Sequence, residues 1–333
     1  MTRPSNGLLR DVAMALDLVL PGAVCRDAPF GSRTTWRVGG TAAVAVRVET
    51  VAQLIAVAAT LTPDIPRFVL GRGSNVLVSD SGFPGVVVTL GAAFETMTAD
   101  AQSGTPPAAQ HQASQSASDT AAAVSVTAGG ATALPVLARQ CAAAARAGLG
   151  FYVGIPGSVG GAIRMNAGGH GCETRDVVLS AAVVDLDGPG ELRHWDRDAL
   201  GFGYRHSALG PSHVVVAARF AVAIGDAGAL ADEIREIVGW RAAHQPGGAN
   251  AGSVFRNPPG DAAARLIDKE CGLRGLRVGG AVISEKHANF IQADAGATAA
   301  DVHELIQSVR ERVEQRTGIS LDIEVHEIGF AQQ

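Results

Sequence analysis

A chain of 333 residues has room for two or three domains, each with its own apolar core. Its 27 Lys+Arg against 32 Asp+Glu give a net charge of −5, without the broad positive field that nucleic-acid binding rests on. Cys25, Cys141, Cys172 and Cys271 lie far apart and form no C-x-x-C pair, which argues against a zinc or iron–sulfur centre and a disulfide framework, and no apolar run approaches the ~20 residues of a membrane helix. A metal-free protein of a reducing cytoplasm is the expectation.

Leu8, Leu9, Val12, Leu16 and Val19 are spaced for an amphipathic helix, and Asp11 and Asp17 interrupt any signal-peptide core. After a polar and aromatic turn from Arg33 to Gly40, residues 43–48 read as a strand. Thr50 and Gln53 form a capping box for a helix carrying Leu54, Ile55 and Val57. A strand at Phe68 to Leu70 leads into Gly71-Arg72-Gly73-Ser74-Asn75, and strands follow at residues 76–78 and 85–90. The G-x-G loop fails as a dinucleotide fingerprint, because Val76 replaces the third glycine and a strand rather than a helix follows. Successive amides in such a turn still form an anion-binding nest; an ordinary glycine hairpin is the alternative.

Residues 96–122 are almost entirely Ala, Ser, Gln, Thr, Asp and Pro, and read as a disordered insertion at a loop tip. A strand resumes at residues 124–127, and Leu134 opens an alanine-rich helix expected to run to Ala147, with Gly148 at its C′ position. The segment from Gly154 to Gly171 holds seven glycines in eighteen positions. That density predicts neither regular helix nor strand but backbone pressed against a flat or phosphorylated ligand. A mobile linker is the alternative, and the interleaved Ile155, Val159, Ile163 and Met165 count against it.

Further strands are predicted at residues 181–186, 214–217 and 220–222, with a hydrogen-bonding segment, Phe202 to Ser207, between them. A helix spans 229–241, a domain boundary falls near 225, and a polar glycine-rich stretch runs from Gln245 to Ser253. Beyond lie a helix at 263–267, strands at 278–283 and 290–291, an amphipathic helix carrying Val302 to Val313, and a final strand over 321–328. Alternation puts Leu321, Ile323 and Val325 on one face of that strand and Asp322, Glu324 and His326 on the other.

No zinc motif, Walker loop or G-x-S-x-G elbow is present. Ser253, fixed between Gly252 and an aromatic turn, can serve as a proton donor or as a simple turn residue. Arg205 can grip a carboxylate with two parallel hydrogen bonds or sit in a structural ion pair. Glu324 taken alone reads as a solvated carboxylate on an edge strand.

Together, six ordered segments resemble the UDP-N-acetylenolpyruvoylglucosamine reductases, a family of flavoenzymes of bacterial cell-wall synthesis. They are Thr35 to Gly40, Leu70 to Asp80, Ile155 to Gly168, Tyr204 to Ser207, Ala251 to Pro258 and Leu321 to Gly329. The resemblance implies an α+β protein: a two-lobed FAD-binding fold of the vanillyl-alcohol-oxidase type plus a C-terminal α/β substrate domain. The corresponding parts are 1–92, 93–225 and 226–333, the last strand returning to the active site.

The resemblance also implies FAD as cofactor, held by Gly71, Arg72, Gly73, Ser74 and Asn75 at its pyrophosphate. Pro156, Gly157, Ser158, Gly160, Gly161, Ile163, Asn166, Ala167 and Gly168 would lie along its ribityl chain and ring. NADPH and an enolpyruvyl sugar nucleotide would use one pocket in turn. Hydride added to the vinyl C3 yields an enolate-like intermediate, which is protonated at C2. Arg205 and Glu324 match the family's residues at the substrate carboxylate, Ser253 its proton donor, and Tyr204, Arg241, Asn250 and Asn257 its substrate contacts.

The chain departs from one branch of the family by lacking an extra loop with a tyrosine over the substrate, since Tyr152 and Tyr204 are its only tyrosines. Arg241 stands where some relatives have lysine, and Glu327 would exchange with Glu324 on a register error. The expected protein is a monomer without a nucleic-acid or membrane partner. An FAD-dependent oxidase of the same fold, or a non-catalytic nucleotide-sugar binder, are the rival readings.

Overall fold

The computed structural model describes residues 4–100 and 124–330. In the first lobe, α1 (Asn6–Val19) is capped by the Ser5 hydroxyl, which accepts from the Leu8 amide at 3.2 Å. Then come β1 (Val24–Pro29), β2 (Thr41–Val48), α2 (Val51–Thr60), β3 (Arg67–Val69), β4 (Val76–Val78) and β5 (Phe83–Leu90). The predicted Thr50–Gln53 capping box starts α2. The sheet order is β1-β2-β5-β3, with β5 parallel to both β2 and β3. Alternation decides its two faces: Val44, Val46, Val86 and Val88 pack under α1 and α2, while Val87 joins Phe30, Leu70, Val76 and Val78 opposite.

The second lobe is built on β6 (Met97–Asp100), β7 (Val124–Gly129), α3 (Leu134–Ala143), β8 (Arg146–Ala147), α4 (Val159–Met165), β9 (Gly168–Gly169), β10 (Cys172–Glu173), α5 (Thr174–Val177), β11 (Val178–Asp185), β12 (Leu192–Asp196), β13 (His213–Ile224) and α6 (Ala227–His244). Its antiparallel sheet runs β12-β11-β13-β7-β6, with β8 on the end of β13. Four expectations change here. Residues 97–100 of the supposed insertion pair with β7, and the rest of it lies outside the described residues. The helix expected to reach Ala147 stops at Ala143, because Ala145 turns left-handed (φ 55°) and Arg146–Ala147 are claimed by β13. The strands foreseen at 214–217 and 220–222 are one continuous β13. The glycine segment contains a true helix, α4, since Val159, Ala162 and Ile163 bury an apolar stripe that outweighs the cost of two helical glycines. The core beneath α3 and α4 also receives Ile234 and Ile237 from α6.

The third part holds α7 (Ala263–Arg265), which continues into one π-helical turn at Leu266–Glu270, then β14 (Arg277–Val278), β15 (Ala281–Ile283), β16 (Ile291–Ala293), α8 (Ala299–Thr317) and β17 (His326–Ile328). The strand predicted over 278–283 is a hairpin, bent at Gly279 with φ +51°. The predicted final strand is shorter than expected: Ile323 bridges Phe255, and only β17 forms a ladder, parallel to β4 of the first lobe. α8 buries Val302, Leu305, Ile306, Val309 and Val313 against this part, as its spacing foretold. The same core receives Trp36, Val38 and Leu77 from the first lobe, and Trp36 donates its indole N–H to the Ile291 carbonyl at 2.8 Å.

Candidate active site

Where the three parts meet they enclose a cavity of about 1380 Å³. The loop after β3 and the segment before α4 form one side of it. At Gly73 φ is +66°, and a Cβ would fall 2.7 Å from the Arg33 carbonyl, so the position admits glycine alone without strain. That close approach lets the Thr35 amide donate to the Gly73 carbonyl at 3.0 Å. A Cβ on Gly71 would lie 2.7 Å from the Ser158 hydroxyl, and one on Gly157 3.5 Å from that of Ser74, so the two loops run edge to edge. The buried Thr35 Oγ1 in this wall has no hydrogen-bond partner within the protein.

Arg205 is carried on a tight turn in which Gly203 and His206 bridge each other and Arg205 itself has φ +52°. An arginine in the left-handed region is uncommon. Two contacts hold it there: the buried Ser207 hydroxyl donates to the Arg164 carbonyl at 2.8 Å, and the fully buried Asn166 donates to the Gly203 carbonyl at 2.9 Å. Arg205 Nε lies 3.0 Å from Glu324 Oε1, and Nη1 lies 3.9 Å from Glu173 Oε1. The guanidinium also sits 5.3 Å from the ring centre of Tyr204, itself largely exposed.

The reading of Glu324 as a solvated carboxylate is overturned. Its side chain is 15 % exposed, and burial pushes its carboxyl above the ordinary range, while the nearby Arg205 and Arg256 guanidinium groups pull the other way. Its amide donates to the Val254 carbonyl at 2.8 Å, which sets the backbone of residues 253–255 beside that of Glu324. Glu327 is separated from the site: it faces His303, whose Nδ1 is 2.6 Å from Glu327 Oε1, and this settles the register.

Arg205, Ser253 and Glu324 all line the cavity. So do Gly71 to Asn75, Pro156 to Ser158, Gly160, Gly161, Ala167, Gly168, Arg241 and Asn250. Arg241 packs its side chain on Gly154, and burial lowers its affinity for its proton. The Asn250 amide group ties its own turn to the Gly247 and Gly248 carbonyls, each at 3.2 Å. Four of the anticipated residues stand outside the wall. Ile163 is core, Asn166 is the buried connector just described, Tyr204 faces out, and Asn257 accepts from the Ala263 amide at 3.0 Å as a helix cap.

Sequence reasoning missed Thr35, Arg164, Glu173, Lys286 and His326. Thr35, Arg164, Lys286 and His326 are in the wall, and Glu173 is beside Arg205. For His326 the signal was available, since it shares a strand face with Glu324; burial now lowers its pKa, with Arg164 and Arg256 acting in the same sense. Its Nε2 is 3.1 Å from Met165 Sδ. Among the described residues no group of His, Cys, Asp and Glu is placed to hold a metal, and no helix is long and apolar enough to cross a membrane.

Residues 42–192 match the family described as an FAD binding domain. A structure of a VAO-type flavoprotein from Myceliophthora thermophila superimposes with TM-score 0.53 over 97 % of this chain and 82 % of that one at 9 % identity, a likeness of fold alone. The fold and the glycine-lined cavity thus define an FAD-binding flavoprotein of the vanillyl-alcohol-oxidase type. Residues 244–328 match the C-terminal domain of UDP-N-acetylenolpyruvoylglucosamine reductase. The reductase of that name from Acidiphilium cryptum is 40 % identical over 93 % of this chain and 92 % of its own length. Its counterpart from Azorhizobium caulinodans is 37 % identical over 99 % of both. The crystal structure of the Thermus caldophilus enzyme matches with TM-score 0.73 at 33 % identity, over 92 % of this chain and 98 % of that one. The chain belongs to the UDP-N-acetylenolpyruvoylglucosamine reductase family.

FAD fits the residues present. Gly71 and Gly73 leave backbone where any side chain would intrude, and the unpartnered Thr35 hydroxyl is a polar group awaiting a ligand.

Proposed function

We propose that this protein reduces the enolpyruvyl ether of UDP-N-acetylglucosamine enolpyruvate to the lactyl ether, forming UDP-N-acetylmuramate for peptidoglycan synthesis, with NADPH as reductant. The observation that carries this reading is the Arg205–Glu324 pair set beside Ser253 in the wall of the glycine-lined cavity. Gly71 to Asn75 and Pro156 to Gly168 would hold FAD, which when bound would supply hydride to the substrate's vinyl carbon.

The protein's own groups manage charge and proton. Adding hydride to the vinyl carbon drives negative charge into the attached carboxylate. Arg205 meets that charge with a two-pronged guanidinium. Glu324 stands 3.0 Å from Arg205 Nε, burial strengthens its hold on a proton, and when protonated it would donate a second hydrogen bond to the same oxygens. Ser253, on the segment hydrogen-bonded beside Glu324, delivers the proton to C2. Arg241 and Asn250, in the wall of the same cavity, take the nucleotide end of the substrate. The protein works on small soluble molecules, as a monomer of the cytoplasm.

The purified protein should be yellow, bleached by NADPH without oxygen and recoloured by the enolpyruvyl nucleotide. A colourless protein that takes up no FAD on reconstitution would sink the proposal. Substrate-dependent peroxide formation without NADPH oxidation would point instead to an oxidase. A mass from light scattering other than one chain would remove the monomer.

A further inference from the structure

Glu173 lies between the glycine segment and the Arg205 turn, and its carboxylate gathers three partners. Asn166 Nδ2 donates to Oε2 at 3.0 Å, Arg175 Nε stands 2.8 Å from the same oxygen, and Arg205 Nη1 lies 3.9 Å from Oε1. Asn166 is fully buried, and both of its amide hydrogens are committed. Its amide nitrogen also serves the Gly203 carbonyl at 2.9 Å, and its amide oxygen accepts from the Arg175 main chain at 3.0 Å. Asn166 itself is the left-handed C-cap of α4, so one brace joins the α4 end to the turn that holds Arg205 at φ +52°.

The arrangement poses a charge problem. Arg205 already faces two carboxylates, through Nε and through Nη1, before any substrate carboxylate arrives. Arg256 also acts on Glu324, Arg164 and Arg256 act on His326 two residues further along, and beside Glu173 lie Arg175 and its chain neighbours Asp176 and Cys172. To grip a substrate, the Nε edge must leave Glu324, and a side chain on a strained turn with no second anchor would lose its aim.

We infer that Glu173 is a positioning residue for the reduction: it anchors the Nη1 edge of Arg205 and shares its charge, so that the Nε edge can pass from Glu324 to the substrate's carboxylate. The inference rests on the reductase reading above, and it acts through Arg205 rather than on substrate.

The test compares wild type, Glu173→Gln and Arg175→Gln as FAD-loaded enzymes. In Glu173→Gln, KM for the enolpyruvyl nucleotide should rise by up to about fivefold, the scale of one partly exposed ion pair, while flavin reduction by NADPH stays within about twofold. With one carboxylate gone, Arg205 favours ionised Glu324, so the alkaline loss of kcat should move to lower pH. Arg175→Gln leaves Glu173 freer to draw on Arg205 and should move that limb to higher pH. A folded Glu173→Gln enzyme with unchanged KM and pH profile would make Glu173 only a helix-capping residue and overturn the inference. If Glu173→Gln takes up no FAD, an unmoved pH limb in Arg175→Gln overturns it equally. A wild-type protein that leaves the enolpyruvyl nucleotide unreduced removes the reductase reading itself, a result distinct from both.

Discussion

The Asn75 side chain donates to the main-chain carbonyl of Glu324 at 3.1 Å, while the Asn75 carbonyl accepts from the His326 amide at 3.0 Å. The loop assigned to the FAD pyrophosphate and the segment carrying the buried carboxylate are therefore tied together at the head of the β4–β17 ladder. Asn75→Ala removes the side-chain bond and should cost about 1 kcal/mol of stability. It should also loosen FAD and slow enolpyruvyl reduction together; dialysis against excess buffer, followed by flavin absorbance and turnover of the reconstituted enzyme, checks both.

Ser253→Ala should separate the two halves of the reaction. Flavin bleaching by NADPH in a stopped-flow trace should be preserved, because the serine meets only the second substrate. Turnover of the enolpyruvyl nucleotide should fall by a factor on the order of 10²–10⁴, the range of a lost general acid. Unchanged turnover would remove Ser253 from its role.

Glu324 gives a pH prediction whose sign follows from burial. Its carboxyl is raised above the ordinary range, so the folded protein holds that proton more tightly than the unfolded chain. The stability this contributes is present below the ordinary carboxylate range and is lost as pH rises through the raised value. Glu324→Gln escapes that loss. Its melting temperature should gain on wild type as pH rises from the ordinary carboxylate range through the raised value and level off above it, measured by differential scanning fluorimetry, even as catalysis drops.

Trp36→Phe keeps the ring in the third core but leaves the Ile291 carbonyl without its donor. A loss of about 1–3 kcal/mol is expected from that unsatisfied buried acceptor. Urea unfolding followed by circular dichroism measures it.

At Gly73, a methyl group would meet the Arg33 carbonyl in a left-handed backbone. Gly73→Ala should displace the loop and abolish FAD retention, seen as a colourless protein after purification. The far-UV spectrum should change little.

The elements with a clear period were legible in the sequence. The five apolar residues of the helix Ala299–Thr317 and the Thr50–Gln53 box stand where pattern put them. Local pattern failed where partners distant in sequence decide. The helix Val159–Met165 forms because its stripe meets a core supplied by β7 and β13, which no count of glycines reveals. Arg146–Ala147 leave their helix for the same reason. In the site, Ser253, Arg205 and Glu324 were legible only as members of an ordered set of motifs. Glu173 was not, because its meaning lies in a 3.9 Å approach to a residue 32 positions away, a separation that periodicity does not encode.

The ladder between β4 and β17, together with the Trp36–Ile291 bond, also sets an order of events during synthesis. The first lobe emerges early from the ribosome, yet β4 is left with an open edge until β17 appears and Trp36 with an unmet N–H until Ile291 does. Contacts spanning some 250 positions close late and slowly. Nascent chains arrested before β17 should therefore be open to proteases at the β4 edge and prone to pair with one another there. Pairing of β17 with β4 is then the step that makes the first lobe safe.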